Sequence, residues 1–570
     1  MAEEVWMLQT KKADFKQIGA RFQIDPVTAR IIRNRGIEGE AAIDRYLNGT
    51  LDDLYDPMLL KDMERAVSIL CEAVDTGKKI RIVGDYDIDG VCSTYILLQA
   101  FERLGSDVDF EIPDRIKDGY GINESIIEQA HADGVEVILT CDNGISAFHQ
   151  VELAKKYGMT VVITDHHEVP LDGEKEKIPP ADAVIDPKQA DCPYPFPEIC
   201  GAVVAYKLVQ VLYARRGVPQ MEWLDLLEFA AIATVGDVMK LQDENRILVK
   251  YGLKKMAQTK NLGLRRLAEK NNLDLGAITA YHIGFVIGPC LNAGGRLKTA
   301  KEALALLRAQ SEEEAERLAE ELKELNDTRK DMTEQGTEAA KLQVESWYQK
   351  DKVLVVFLPE CHESLAGIIA GRLREYYQKP AIVLTRGEEA VKGSGRSIDG
   401  YHMFKKLTEV SDLLLKFGGH PLAAGLSLEE KNIDEFRRRL NENAGLTEED
   451  FKAKVWIDVP MPVGYVTERL VRELSCLEPF GQGNEKPLFA EKSLRIRASR
   501  VLGRNRNVVK MTLEETDGHA IEALYFGDGT AFEEERAGRR EIDVVYYPDI
   551  NEYNGRKTLQ AVIRRYKFRG

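Results

Sequence analysis

Five short, β-branched runs recur along the first third of the chain: Ile80–Val83, Val108–Ile112, Val135–Leu139, Thr160–Ile163 and Ala183–Ile185. Helix-length segments separate most of them, and runs this short and apolar read as strands buried on both faces. The alternation predicts an α/β domain with a mostly parallel sheet between about Lys79 and Asp186. Further helices are predicted over Val203–Ala214 and Trp223–Val235.

With 570 residues, the chain has room for about three or four domains. Two capping boxes, Thr299–Glu302 and Ser311–Glu314, open helices. The second carries Leu318, Leu322, Leu325 and Met332 at helical spacing, and no proline follows until Pro359. It predicts a connecting helix reaching about Tyr348, on the order of 50 Å long at 1.5 Å per residue. A new strand, Val353–Phe357, starts a second α/β region that ends near Asn443. Beyond Trp456 the pattern turns to strands: Leu494–Arg500, Val508–Leu513, Ile521–Phe526, Ile542–Tyr547 and Thr558–Arg565. Five short strands in about 115 residues suggest a small barrel.

Composition excludes several classes. Hydrophobic residues at 44% and charged residues at 30% mark an ordinary globular chain rather than a disordered or fibrous one. The start, Met1-Ala2-Glu3-Glu4-Val5, lacks the basic-then-apolar pattern of a signal peptide, so a cytoplasmic location without membrane contact is expected. The longest uncharged stretch, Leu275–Gly295, holds five glycines and Pro289 and reads as buried loop and short elements. Eight scattered cysteines form no zinc-spaced pair and read as reduced, buried apolar residues. The net charge of −16 is uneven: residues 491–570 hold 16 Lys+Arg against 13 Asp+Glu, a local +3 that leaves about −19 elsewhere. A polyanion would bind locally.

Chemistry concentrates at strand ends. Gly84-Asp85-Tyr86-Asp87-Ile88-Asp89-Gly90 follows the first strand, and three carboxylates within five residues repel one another unless a cation sits among them. An EF-hand loop would need Glu at its twelfth position, which is Ile96, and a helix rather than a strand before it. Asp142-Asn143-Gly144 and Asp165-His166-His167 end two further strands, and Asp237 ends an apolar helix. Open parallel sheets bind ligands at the carboxyl ends of their strands, so these groups converge. Oxygen and imidazole donors suit Mn²⁺ or Mg²⁺, and so many acids suit two ions.

GDYDIDG, TCDNG, TDHH and TVGD, in this order, resemble the four motifs of the DHH phosphoesterase superfamily, and the chain is most similar to its single-strand-specific 5′→3′ DNA exonucleases. The resemblance spans nearly the whole length. It implies an N-terminal helical segment (1–48), a parallel-sheet catalytic domain (49–298), connecting helices (299–349), a smaller α/β DHH-associated domain (350–447) and an OB-like β-barrel (455–570). It also implies Asp87, Asp89, Asp142, His166 and Asp237 as metal ligands. Asp85, Asp165 and His167 would act on the metals or from just behind them, with His167 facing substrate.

The same resemblance assigns phosphate contacts to Arg115 and Tyr120 in Pro113–Gly121, and to Arg296 in Asn292–Arg296. In the second domain, Gly395, Arg396 and Ser397 with Gly418, Gly419 and His420 combine open backbone N–H groups and side-chain donors suited to phosphate. The barrel places Arg495, Arg497, Arg500, Arg504, Arg506 and Lys510 among Tyr525, Phe526, Tyr546 and Tyr547, the ingredients of a single-strand groove. Two departures stand out: Gly236 replaces a frequent Ala before Asp237, and the chain ends soon after the barrel, so a partner-binding tail is expected to be absent. The expected function is a two-metal exonuclease of single-stranded DNA, releasing mononucleotides in recombination and repair, supplied by a single-strand-binding protein and a helicase. Two rivals stay open: a phosphodiesterase of short oligonucleotides or cyclic dinucleotides, and a non-catalytic single-strand-binding scaffold.

Overall fold

The computed structural model describes residues 4–553 and 555–569. The chain divides into two compact units, one of residues 54–239 and 247–453, the other of residues 4–53, 240–246 and 454–569.

Among the described residues, the first unit holds two five-stranded sheets and a two-stranded hairpin, Leu171–Asp172 with Lys175–Glu176. The first sheet comprises β1 (Ile80–Val83), β2 (Val108–Glu111), β3 (Val137–Cys141), β4 (Thr160–Thr164) and β5 (Ala183–Ile185), in the order β2-β1-β3-β4-β5. All its pairings are parallel, and β1, β3 and β5 are buried throughout, as the near-continuous apolar runs require. Helices α1 (Ile88–Arg103) and α2 (Gly201–Arg216) pack on one another beside the sheet. The helix read as Trp223–Val235 is broken: Gln220–Leu224 ends at Asp225, and α3 (Leu227–Gly236) begins anew.

Leu275–Gly295 corrects its loop reading. A 3₁₀ turn spans Leu275–Ala277, and a continuous helical run goes from Ala280 to Leu297, because its glycines serve close packing: a Cβ on Gly295 would lie 2.3 Å from the Tyr86 carbonyl, and one on Gly294 2.7 Å from that of Thr299. Among the described residues no helix is long and apolar enough to cross a membrane. The first capping box opens its helix later than its sequence suggests, at Lys301. Ser311 does cap the long helix α4 (Glu312–Gln343), accepting a hydrogen bond from Glu314 N at 3.2 Å. A wide-turn segment, Val344–Tyr348, completes it, close to the predicted end.

The second sheet runs in the order Leu414–Gly419, Ala423–Leu428, Val391–Arg396, Ala381–Arg386, Leu354–Phe357, with only the last pair parallel. Helix α5 (Glu363–Tyr377) packs against it.

In the second unit, five strands (Phe489–Leu502, Val508–Glu514, Ala520–Phe526, Arg556–Arg569 and Glu541–Tyr553) pair in that order, and the last returns to the first, closing a ring. Closure removes the exposed edges. The N-terminal helices share its core: Ile31, Ile32, Ile43 and Tyr46 pack with Val509, Leu513, Ile542 and Tyr546. Arg246 is buried there and donates to the carbonyls of Tyr46, Leu477 and Cys476 at 3.1, 2.8 and 2.7 Å.

Candidate metal centre

Strands β1, β3 and β4 lie side by side, so the residues just beyond their carboxyl ends meet although up to about 80 positions separate them. Asp237 joins from the end of α3. Donor atoms fall into three groups, each within 4.8 Å: Asp85, Asp87 and Asp142; Asp89, His166 and Asp237; Asp142, His166 and His167. Asp142 and His166 belong to two groups each and link the whole set.

Each side chain is held by local structure. Asp87 caps α1, accepting from Asp89 N at 2.9 Å and Gly90 N at 3.1 Å. Asp89 accepts from Gly201 N at 2.7 Å and Ala202 N at 2.8 Å, where the first N–H groups of α2 lack helical partners. Asp142 takes the left-handed backbone conformation, φ 61°, which an Asp tolerates. Gly201 makes space for it, since a Cβ there would lie 2.7 Å from the Asp142 Cβ. Gly201→Ala is therefore expected to destabilise the protein by about 1–3 kcal/mol and to impair activity by displacing Asp142. Thermal melting alongside turnover checks this; an unchanged melt with full activity contradicts it.

Asp165 organises rather than joins these groups. It accepts from Ile145 N, His166 N and His167 N at 2.9, 2.7 and 3.2 Å, and from His167 Nδ1 at 2.8 Å. Burial would raise its pKa, but the hydrogen bond and charge of His167 hold it below the ordinary carboxylate range. Burial opposes a proton on His167, and Asp165 overcomes it, raising the imidazole to about 9. Tyr120 Oη donates to the Asp142 carbonyl at 2.6 Å and lies 3.1 Å from His167 Nδ1.

The remaining acids are crowded. Burial first, then repulsion from Asp87, pushes Asp85 well above the ordinary range; burial and Asp89 do the same to Asp142 and lift Asp237 to about 8. Burial lowers His166, favouring neutral imidazole, and its Nε2 lies 3.0 Å from Asp142, 3.4 Å from Asp89 and 3.9 Å from Asp237. Asp85 Oδ2 and His166 Nδ1 are buried without a hydrogen-bond partner. Converging carboxylates, a neutral imidazole and an unpartnered carboxylate oxygen fit hard divalent cations such as Mn²⁺ or Mg²⁺.

Beside these acids, a cavity of about 340 Å³ is lined by Arg115, Arg296, Glu363, Ser364, Ser394 and Arg396. The Arg115 guanidinium lies 4.3 Å from the Tyr86 ring centroid, and Arg296 Nη1 donates to the Ser364 carbonyl at 3.1 Å. Burial and then the neighbouring Arg115 lower Arg296 to about 10; burial, Arg374 and Arg115 lower Arg396. Crowded, desolvated guanidiniums favour an anion among them.

The second sheet supplies only part of the expected phosphate set. Strand alternation gives Ser394 and Arg396 one face, while Gly393 and Gly395 are buried on the other. A Cβ on Gly395 would meet Met403 Cε at 3.0 Å, so this glycine serves packing. The buried Ser397 hydroxyl is spent on the Tyr401 carbonyl at 2.6 Å. Gly418 is open and His420 exposed; Gly419 has φ 147°, and a Cβ there would meet the Ala423 carbonyl at 2.4 Å.

One residue escapes the sequence reading. Asp186 follows β5 as the other acids follow their strands; it is buried, and burial followed by Asp165 raises it to about 7. Ser394, part of the Gly393–Ser397 segment read for phosphate donors, shares a face with Arg396 by its i, i+2 relation.

A parallel sheet presenting acids and a His pair at its strand ends, with a second sheet bringing Arg and Ser to an adjoining cavity, is the architecture of a DHH-family phosphoesterase. Family models agree: the DHH family N-terminal domain matches residues 79–234, the DHHA1 domain 350–445 and the RecJ OB domain 457–565. The single-stranded-DNA-specific exonuclease RecJ of Bacillus subtilis is 36% identical over 98% of this chain and 70% of its own length. That of Escherichia coli is 34% identical over 95% of this chain and 96% of its own. The crystal structure of RecJ in complex with Mn²⁺ from Thermus thermophilus superposes with a TM-score of 0.84 at 28% identity, covering 99% of this chain and 80% of that one. The chain belongs to the RecJ family.

Proposed function

We propose that the protein is a divalent-metal-dependent exonuclease specific for single-stranded DNA, which degrades 5′→3′ to mononucleotides in recombination and repair. The observation that carries this reading is the meeting of acids from three strand ends beside the arginine-lined cavity. The relatives' activity and the Mn²⁺ and Mg²⁺ complexes of the Thermus protein support it. The 5′→3′ polarity rests on family resemblance.

Asp85, Asp87 and Asp142 would hold one ion, and Asp89, His166 and Asp237, with Asp142 shared, the other. Bound there, Mn²⁺ or Mg²⁺ supplies Lewis acidity and a water of lowered pKa. The chain's own groups position the strand and its protons. Arg115, Arg296 and Arg396 seat phosphate oxygens, and Ser394 adds a hydroxyl. His167, held by Asp165 and Tyr120, would face the phosphodiester. The OB domain holds the rest of the strand: Arg495, Arg500 and Arg504 are exposed, as is Phe526, whereas Tyr546 is buried and Arg497 pairs with Glu514. A single-strand-binding protein and a helicase would supply the strand in the cytoplasm.

Cleavage of a single strand labelled at either end, beside a duplex and a dinucleotide, tests the reading. Metal-dependent release of mononucleotides from the 5′ end of the single strand alone is expected; turnover of only the dinucleotide, or binding without cleavage, refutes it. Arg396→Ala is expected to raise KM about 10- to 100-fold by removing one charge-assisted contact. Steady-state kinetics check this, and an unchanged KM excludes Arg396 from the phosphate site.

A further inference from the structure

A second cavity, of about 470 Å³, opens within the first unit and has the size of a small-ligand pocket. It lies where α1, through Tyr95 and Gln99, meets the start of α3, through Glu228 and Phe229. These helices pack on one another, and their far ends carry Asp89 and Asp237. Nine residues separate Glu228 from Asp237, about 14 Å at 1.5 Å per residue, so this cavity is distinct from the acid cluster.

Its wall is built around one unsatisfied acid. Glu228 is 3% exposed, and its Oε1 accepts from the Thr259 hydroxyl at 2.7 Å. Thr259 Oγ1 in turn accepts from Asn261 N at 3.1 Å, and Asn261 Nδ2 donates to Tyr95 Oη at 3.1 Å. This chain fixes the carboxyl, yet Glu228 Oε2 is buried without a hydrogen-bond partner. Leaving such an oxygen unpaired costs free energy, which the N–H groups of a ligand would recover. Cations on the lining are engaged by other acids, Arg103 by Glu222 and Lys255 by Asp225. Burial pushes Glu228 up to about 7, against the pull of the Thr259 hydrogen bond and of Lys255. Tyr95 and Phe229 add an aromatic wall, their ring centroids 4.3 Å apart, and burial pushes the Tyr95 hydroxyl up to about 12, so it keeps its proton. The Lys260 side chain, on the same lining, is 86% exposed and comes only within 3.8 Å of Asp225.

These features select a ligand. A carboxylate accepts best from two adjacent N–H donors, and the Watson–Crick edge of guanine sets N1–H beside the 2-amino group. Its O6 comes next along that edge, placed to accept from a hydroxyl such as that of Tyr95. Adenine would instead turn a ring-nitrogen lone pair toward Glu228. A flat base suits the aromatic wall, and a phosphate suits the Lys260 ammonium.

We propose that this cavity binds a guanine nucleotide, its base edge on Glu228 and Tyr95 and its phosphate at Lys260, and that occupancy shifts the metal affinity of the acid cluster through α1 and α3. The site takes no part in bond cleavage and does not depend on the exonuclease reading.

Titration calorimetry of the full-length protein in chelator, with dGMP, GMP and dAMP, tests the site. Saturable binding of a guanine nucleotide, about 10-fold or more tighter than that of dAMP, is expected. The dGMP and GMP arms separate two sources of the ligand, the products of DNA breakdown and the ribonucleotide pool. Glu228→Gln, which keeps the shape of the side chain, is expected to weaken guanine-nucleotide binding about 10- to 100-fold, as loss of hydrogen bonds to a charged group does. Lys260→Ala, at an exposed position, is expected to weaken dGMP about 2- to 5-fold and to leave deoxyguanosine binding as in wild type. Titration of Mn²⁺ with and without saturating guanine nucleotide reads the coupling: a shift of about 5-fold or more is expected in wild type and none in Glu228→Gln. Lack of saturable binding, equal affinity for dAMP, or binding that both variants leave intact overturns the site. An unshifted Mn²⁺ affinity in wild type, or an equal shift in Glu228→Gln, overturns the coupling. A protein that binds guanine nucleotide as expected but cleaves no DNA counts against the exonuclease reading alone.

Discussion

Asp142→Asn is expected to lower turnover by about 10³-fold or more while making the metal-free protein more stable. Asp142 belongs to two of the three donor groups, and its removal degrades both of these at once; a 10³-fold loss corresponds to about 4 kcal/mol of barrier. Asn is the informative replacement because Asp142 sits at φ 61°, which Asn also tolerates, whereas Ala would add backbone strain. The stability gain follows from the same crowding. Burial first, then repulsion from Asp89, Asp87, Asp85 and Asp237, raises the pKa of Asp142, so an uncharged amide relieves both. A gain of about 0.5–2 kcal/mol without metal is the expected size for relaxing a site whose acids are kept for function. Turnover in Mn²⁺ and melting in chelator read the two effects separately. Retained activity removes Asp142 from the centre, and a lower melt without metal shows that the carboxylate contributes to the fold.

This opposition between function and stability explains what the sequence discloses. Strand-end acids are legible because a short β-branched run fixes where a strand stops and parallel topology fixes where its neighbours stop, so Asp85, Asp142 and Asp165 had to meet. Asp186 obeys the same rule, and burial followed by the charge of Asp165 raises its carboxyl. Roles within a cluster were less legible. Asp165 resembles Asp142 in sequence, yet its hydrogen bonds to three backbone N–H groups and His167 make it an organiser. Glycines misled twice: Gly395 reads as a phosphate glycine and the Gly294–Gly295 pair as loop, but each is set by a neighbouring atom that a Cβ would strike. Nothing local could show that Ile31 and Tyr46 pack with Ile542 and Tyr546, because that contact joins segments about 500 residues apart.

Removing divalent metal is expected to abolish cleavage and to make stability fall as pH rises. In the metal-free protein, Asp237 is lifted to about 8 and Asp186 to about 7, with Asp85 and Asp142 also well above the ordinary range. Between the unfolded value of about 3.9 and these folded values, the native state keeps protons that the unfolded chain has released. The unfolded state then binds fewer protons, so unfolding free energy decreases as pH rises through that window. His167, raised to about 9, adds to the same trend, because its stabilising proton is lost as pH approaches that value. Burial of neutral His166 works the other way, but only at the acidic end, where the unfolded imidazole takes up a proton. A bound cation reverses the balance, since it needs the ionised carboxylates whose repulsion it relieves. Its stabilisation should therefore grow from pH 6 to pH 8. Two ions, each at a hundred times its Kd, contribute about 5 kcal/mol, which for a unit of this size moves Tm by roughly 5 °C. Melting at pH 6, 7 and 8, with chelator and with Mn²⁺, gives the test. The expected curves diverge with pH, the chelated protein losing Tm while the Mn²⁺ form holds or gains. Parallel curves would mean that the ions do not bind at these acids, because no other cluster of comparable crowding among the described residues couples cation binding to proton release.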